Sequence, residues 1–204
     1  MKIRFVNYNI CNGRNGGLES ALRGVYQASM DLGIFQETKV TDRIYPRWSA
    51  GYSVVATYEP IQHRVGVVVL YLTAPHFSVE AVQQFGLNVV GFHLETGERR
   101  WYIVGCYLAP DDTLTIEIVV AVLKERTRGA ELLVVGYFNL KLLDPEGDRR
   151  EEEIAAELAM ELLEDISAHF LPLRSLLCRD GRTWIMIREG REVSSRTDYI
   201  LGTD

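Results

Sequence analysis

Short apolar runs that finish in a polar residue recur along this chain, and they leave it few folds to adopt. Residues 2–9 (KIRFVNYN) alternate in character and end on Asn9, while LGIFQ at 32–36 runs into Glu37. WYIVGCY ends at Tyr107, and LLVVG at 132–136 runs into Tyr137-Phe138-Asn139. Alternation rich in β-branched and aromatic residues marks strands. Further strands are expected over 52–58 and 65–72, with a hairpin formed by 87–94 and 100–107 around the turn ETGE. Short strands at 184–187 and 197–201 close the chain, the second carrying Asp198, with the turn REGRE between them. Helical spacing appears over 18–30 (Leu18, Leu22, Val25, Met30), from Thr113 or Thr115 to Arg128 (Ile116, Val120, Leu123), and over 149–168 (Ile154, Leu158, Leu162, Ile166). Many strands with few helices between them suit two packed sheets with helices on their outer faces. They do not suit a regular βαβ alternation, and neither GxGxxG nor GxxxxGK[ST] occurs.

At 204 residues and 47% hydrophobic, the chain can bury one sizeable core, so a single domain over 1–204 is expected. Its net charge of −6 argues against strong non-specific DNA binding, although a local basic rim is compatible with it. Lysine occurs only at 2, 39, 124 and 141, and the remaining positive charge is arginine, the side chain that forks onto phosphate. Cys11, Cys106 and Cys178 lie far apart with no CxxC pattern, which argues against zinc and for reduced thiols. The N-terminal run is short and alternating, unlike a signal peptide, and no apolar stretch is long enough for a bilayer. An intracellular location, nuclear or cytoplasmic, is expected, with no membrane partner.

If the polar strand ends share one side of a sandwich, Asn9, Glu37, Tyr107, Asn139 and Asp198 converge on a cleft. One carboxylate among amides and phenols suits a hard divalent cation and a phosphate. Taken singly, each of these residues reads better as a strand or turn cap. Taken in order, N-Y-N at 7–9, Q-E-T at 36–38, Y-L-A-P at 107–110, G-Y-F-N at 136–139 and R-T-D-Y-I at 196–200 resemble the ordered motifs of the endonuclease/exonuclease/phosphatase superfamily. The details look most like the apurinic-type endonuclease domain of LINE-type (non-LTR) retrotransposons. The resemblance implies an α+β fold, a four-layer αββα sandwich of two mostly antiparallel sheets, and metal-dependent cleavage of a DNA phosphodiester. It implies Mg²⁺ or Mn²⁺ at Glu37 with Asn9 in support, Tyr107 on the phosphate, Asn139 placing the attacking water or the scissile group, and Asp198 orienting the metal shell or a histidine. Thr183-Trp184 matches the family's Thr-Trp, which approaches the DNA strand, and the loop residues Arg14 and Arg64 are further candidates for DNA contact.

The pattern breaks twice. Where the family has G-D-F-N, this chain has Tyr137, a phenol of ordinary pKa about 10 that is neutral at pH 7 and a poor general base. Loss of a general base costs about 10²–10⁴ in rate. The family's terminal S-D-H is also absent, since no histidine follows Asp198. These breaks point to a C-terminally truncated domain without the final strand, weak or inactive as a nuclease, in which metal binding is a function open to loss. The missing strand would leave a sheet edge or apolar groove open to self-association. The alternative is a non-catalytic DNA- or protein-binding module, such as a domesticated pseudonuclease or effector. A phosphatase acting on a small substrate comes third and suffers from the same two breaks.

Overall fold

The computed structural model describes residues 3–10, 17–38, 51–57, 66–74, 77–97, 99–108, 113–126, 131–137, 171–172, 184–188, 191–195 and 198–202. The helix expected over 149–168 lies outside these. In chain order the elements are β1 (Phe5–Asn9), α1 (Gly17–Gln27), β2 (Leu32–Gln36), β3 (Tyr52–Ala56), β4 (Val67–Leu72), β5 (Ser78–Gln84), β6 (Val89–Thr96) and β7 (Arg99–Tyr107). They continue with α2 (Thr113–Arg126), β8 (Glu131–Tyr137), β9 (Leu171–Pro172), β10 (Trp184–Arg188), β11 (Arg191–Ser195) and β12 (Asp198–Gly202).

Two mixed sheets result, one of four strands in the order β1-β2-β4-β3 and one of six in the order β5-β6-β7-β8-β12-β9, while β10 and β11 form a separate ribbon. Most neighbours are antiparallel, as expected. Two pairs are not: β1 runs parallel to β2, and β7 to β8. Parallel neighbours need a crossover connection, and α1 and α2 supply it. Each helix therefore lands on the outer face of its own sheet, α1 against β2 and α2 against β6 and β7, which makes four layers. No described helix is long and apolar enough to cross a membrane.

The period-two alternation of each strand divides its side chains between two cores. Leu32, Ile34, Val67 and Val69 of the four-stranded sheet meet Phe92, Leu94, Ile103 and Val135 of the six-stranded one, forming the central layer. Phe35, Val68 and Leu70 point the other way and bury Leu22 and Val25 of α1. The sheets come close at Gly105, where an added Cβ would crowd Ile34 and Val90 at 3.2 Å. β5 is the outer strand of its sheet. Its register shifts between Glu80 and Gln83, and Ala81 has φ of 48°, a bulge of the sort that discourages edge-to-edge pairing.

One polar clamp fixes the start of the four-stranded sheet. The Asp31 amide donates to the Arg4 carbonyl at 2.7 Å, the Arg4 amide donates to Asp31 Oδ2 at 2.7 Å, and the Leu72 amide donates to the Asp31 carbonyl at 2.9 Å. The clamp thus holds β1, β2 and β4 in register. Asp31→Ala leaves the Arg4 amide without its carboxylate and is expected to cost about 1–3 kcal/mol. Urea unfolding should show this as a lower midpoint with an unchanged slope.

Candidate functional site

The two parallel pairs decide where the polar strand ends go. Asn9 lies level with Gln36 in the β1–β2 pair, and Tyr107 level with Tyr137 in the β7–β8 pair. The antiparallel β12 begins at the same level, with Asp198 paired to Tyr137. β1 packs against β8 and β12 across the interface, and the Asn7 side-chain amide reaches the Gly136 carbonyl at 3.5 Å. The ends of β1, β2, β7 and β8 and the start of β12 therefore meet at one end of the sandwich.

Asn9 Nδ2 donates to Glu37 Oε1 at 3.0 Å, and both residues are half-buried. Glu37 has φ of 52°, the left-handed region that a non-glycine residue enters at a cost. That turn lets Glu37 follow Gln36 without continuing the strand, and the Thr38 amide donates to the carbonyl of Gly66, just before β4, at 3.3 Å. On the other sheet, the Tyr107 and Tyr137 rings stack with centroids 5.8 Å apart and planes 13° from parallel. The Leu108 amide donates to the Tyr137 carbonyl at 2.9 Å and locks the two strand ends together. Gly136 is required there, because a Cβ would overlap the Cys106 carbonyl.

Of the residues expected to form the site, the structure brings Asn9 and Glu37 into contact and stacks Tyr107 on Tyr137. Asp198 is placed by its backbone at the head of β12. Asn139, Arg14, Arg64 and Thr183 lie outside the described residues. Trp184 opens β10, in the ribbon that, among the described residues, pairs with neither main sheet. Asn7 and Gln36 fall within the N-Y-N and Q-E-T motifs but carry no role in the sequence reading; both are buried amides within the strands. Gln36 Nε2 donates to Asn7 Oδ1 at 2.6 Å. The available signal was a polar residue on the core-facing phase of each strand.

Two shifted groups stand apart from this chemistry. Complete burial pushes the Cys106 thiol up to about 12, so it stays protonated and unreactive. Tyr52, whose hydroxyl donates to the Met30 carbonyl at 2.5 Å, is raised by burial and then by the Asp31 carboxylate.

Two sheets with these helices and this order of strands have the fold of the endonuclease/exonuclease/phosphatase proteins. Among solved structures, the chain is similar to the endonuclease domain of TRAS1, a telomere-specific non-LTR retrotransposon, at 17% identity and TM-score 0.69, over 100% of this chain and 86% of that one. It is also similar to NExo, a 3′ phosphatase from Neisseria bound to a product DNA hairpin, at 16% identity and TM-score 0.74, over 99% of this chain and 87% of that one. The AP endonuclease LMAP from Leishmania major follows at 16% identity and TM-score 0.72, over 99% of this chain and 79% of that one. No family model and no curated protein matches the sequence.

The left-handed backbone at Glu37 gives a test separate from any activity. Glu37→Gly, which removes the Cβ penalty, should be about 1 kcal/mol more stable than Glu37→Ala. Parallel denaturant titrations of the two variants check this.

Proposed function

We propose that this chain is a retrotransposon-type endonuclease domain, ancestrally a Mg²⁺-dependent DNA phosphodiesterase, whose catalytic centre is impaired. The observation that carries the proposal is the Tyr107–Tyr137 stack at the same end of the sandwich as the Asn9–Glu37 pair, with an aromatic ring where the resembling motif has a carboxylate. The donor set fits Mg²⁺ or Mn²⁺. Those ions take hard oxygen ligands, often one or two carboxylates completed by water and phosphate. Among the described residues no cluster of three His, Cys, Asp or Glu occurs.

In this reading Glu37 holds the ion and Asn9, donating to its Oε1, orients the carboxylate. A bound ion supplies charge stabilisation at a phosphoryl oxygen and at the leaving oxygen. Tyr107 donates to the phosphate, Asn139 places the attacking water or the scissile group, and Asp198 braces the shell. Arg14, Arg64, Thr183 and Trp184 would meet the DNA strand. Tyr137 supplies no carboxylate to take the water's proton, and its ring fills space that water and phosphate need.

A plasmid-nicking assay with Mg²⁺ and Mn²⁺ tests this. The wild-type chain should turn over weakly or not at all. Tyr137→Asp, which restores a base, should raise nicking by at least about tenfold. Adding Glu37→Gln to Tyr137→Asp should remove the gain. Wild-type nicking that depends on Glu37 and gains nothing from Tyr137→Asp would overturn the impairment.

The same ring favours a second reading, a module that binds DNA or protein without cutting. Affinity for a DNA duplex that falls steeply with salt supports binding through phosphates, and a flat salt response sinks it. For a protein partner, we propose a second copy of this chain. Among the described residues the outer edge of β1 pairs with no strand, and Tyr8 on it is 58% exposed. Tyr8 helps to line a groove of about 500 Å³ together with Val6, with Ala21 and Gly24 of α1, and with Ala28 just beyond it. An unpaired strand edge carrying an exposed aromatic ring is a template for pairing with another copy, and a two-fold axis would bring the same edge to both partners. Sedimentation equilibrium should show a dimer that Tyr8→Arg dissociates; a wild-type monomer at high concentration counts against it.

A further inference from the structure

We infer that Asn7 and Gln36 act as a positioning pair that sets the Glu37 carboxylate for cation binding. The inference rests on the reading of Glu37 as the cation ligand given above. Gln36 is 0% exposed and Asn7 5% exposed, so both amides lie within the sandwich. Their neighbours on the same strand faces, Phe5 on β1 and Leu32 and Ile34 on β2, belong to the apolar layer between the sheets. A buried amide in such a layer loses free energy unless it is hydrogen-bonded, and apolar residues would pack there without that cost.

The bonds run in one direction. Gln36 Nε2 donates to Asn7 Oδ1 at 2.6 Å, and Asn7 Nδ2 donates to the Gly136 carbonyl at 3.5 Å. β2, β1 and β8 are thus tied in series, across the gap between the sheets. Each anchor lies next to a residue of the site. Gln36 immediately precedes Glu37, and Gly136 precedes Tyr137. Asn7 stands two residues before Asn9, on the same face of β1. Glu37 sits in a left-handed conformation that its own side chain does not favour, so its backbone must be held from outside. The amide of Gln36 is the nearest side-chain anchor on β2. The pair is not tuned for stability alone, because Gln36 Oε1 is buried with no hydrogen-bond partner among the described residues.

A role confined to packing predicts lower stability and unchanged cation affinity in the folded state. A positioning role predicts weaker affinity even where the chain remains folded. The test is Mn²⁺ titration of the full chain without DNA, followed by the electron paramagnetic resonance of free Mn²⁺. It is run well below each variant's unfolding midpoint. Gln36→Met and Asn7→Leu keep side-chain length or volume and remove the bonds, and each should weaken Mn²⁺ binding about 10-fold or more. The double variant should bind no worse than either single one, because the two residues form one unit. Asn7→Ser, smaller and still polar, is measured beside them, so that loss of fold in a bulkier variant leaves a readable result; it should weaken binding less than Asn7→Leu does. Unchanged affinity in folded variants overturns this inference alone. Absence of Mn²⁺ binding by the wild-type chain overturns it together with the reading of Glu37.

Discussion

Everything at the candidate site depends on one constraint, the burial of two apolar sheet faces against each other. Leu32, Ile34, Val67 and Val69 can leave water only by packing on Phe92, Leu94, Ile103 and Val135. That contact fixes the depth at which the two sheets meet, and Gly105 lets them meet closely. Once the depth is fixed, the lengths of β1, β2, β7 and β8 determine that their last residues are level. The site is the rim of the central core, where the apolar layer gives out and Asn9, Glu37, Tyr107 and Tyr137 take over.

Parallel pairing adds to this. An antiparallel pair brings the end of one strand beside the start of the next, so only alternate strands finish at a given edge. Here β1 and β2 finish together, as do β7 and β8. Helices on the outer faces are the cost of that arrangement, and they also shield the backs of both sheets. Most of the buried polar groups near the seam meet hydrogen bonds, as in the Asp31 clamp at one end and the Gln36 Nε2–Asn7 Oδ1 bond near the other, while Gln36 Oε1 has no partner among the described residues.

Much of this was legible in the sequence, for reasons that differ by element. LGIFQ, the VVVLYL run and the ETGE hairpin announce themselves because their strands lie inside a sheet and carry apolar or alternating residues. β5 is hard to read because SVEAVQQ is a largely exposed, bulged edge strand in which Val79 alone is packed against the central core. β11 was read as part of a turn, since REVSS carries little apolar character, and β9 is two residues long. The polar strand ends could be named because each interrupts an apolar run. Which pairs run parallel could not be read from local pattern, since direction is set by the crossover helices. The left-handed turn at Glu37 was invisible for a similar reason: glutamate carries no preference for it, and only the surrounding packing imposes it.

That turn bears on how the sequence can drift. At a backbone suited to glycine but occupied by glutamate, a single-base change from a Glu codon to a Gly codon relaxes the main chain. In a lineage indifferent to the carboxylate, such changes would accumulate without penalty to the fold. Glu37 therefore holds its place at a cost to the main chain, and the change to glycine that relieves the cost also removes the acceptor of the Asn9 bond.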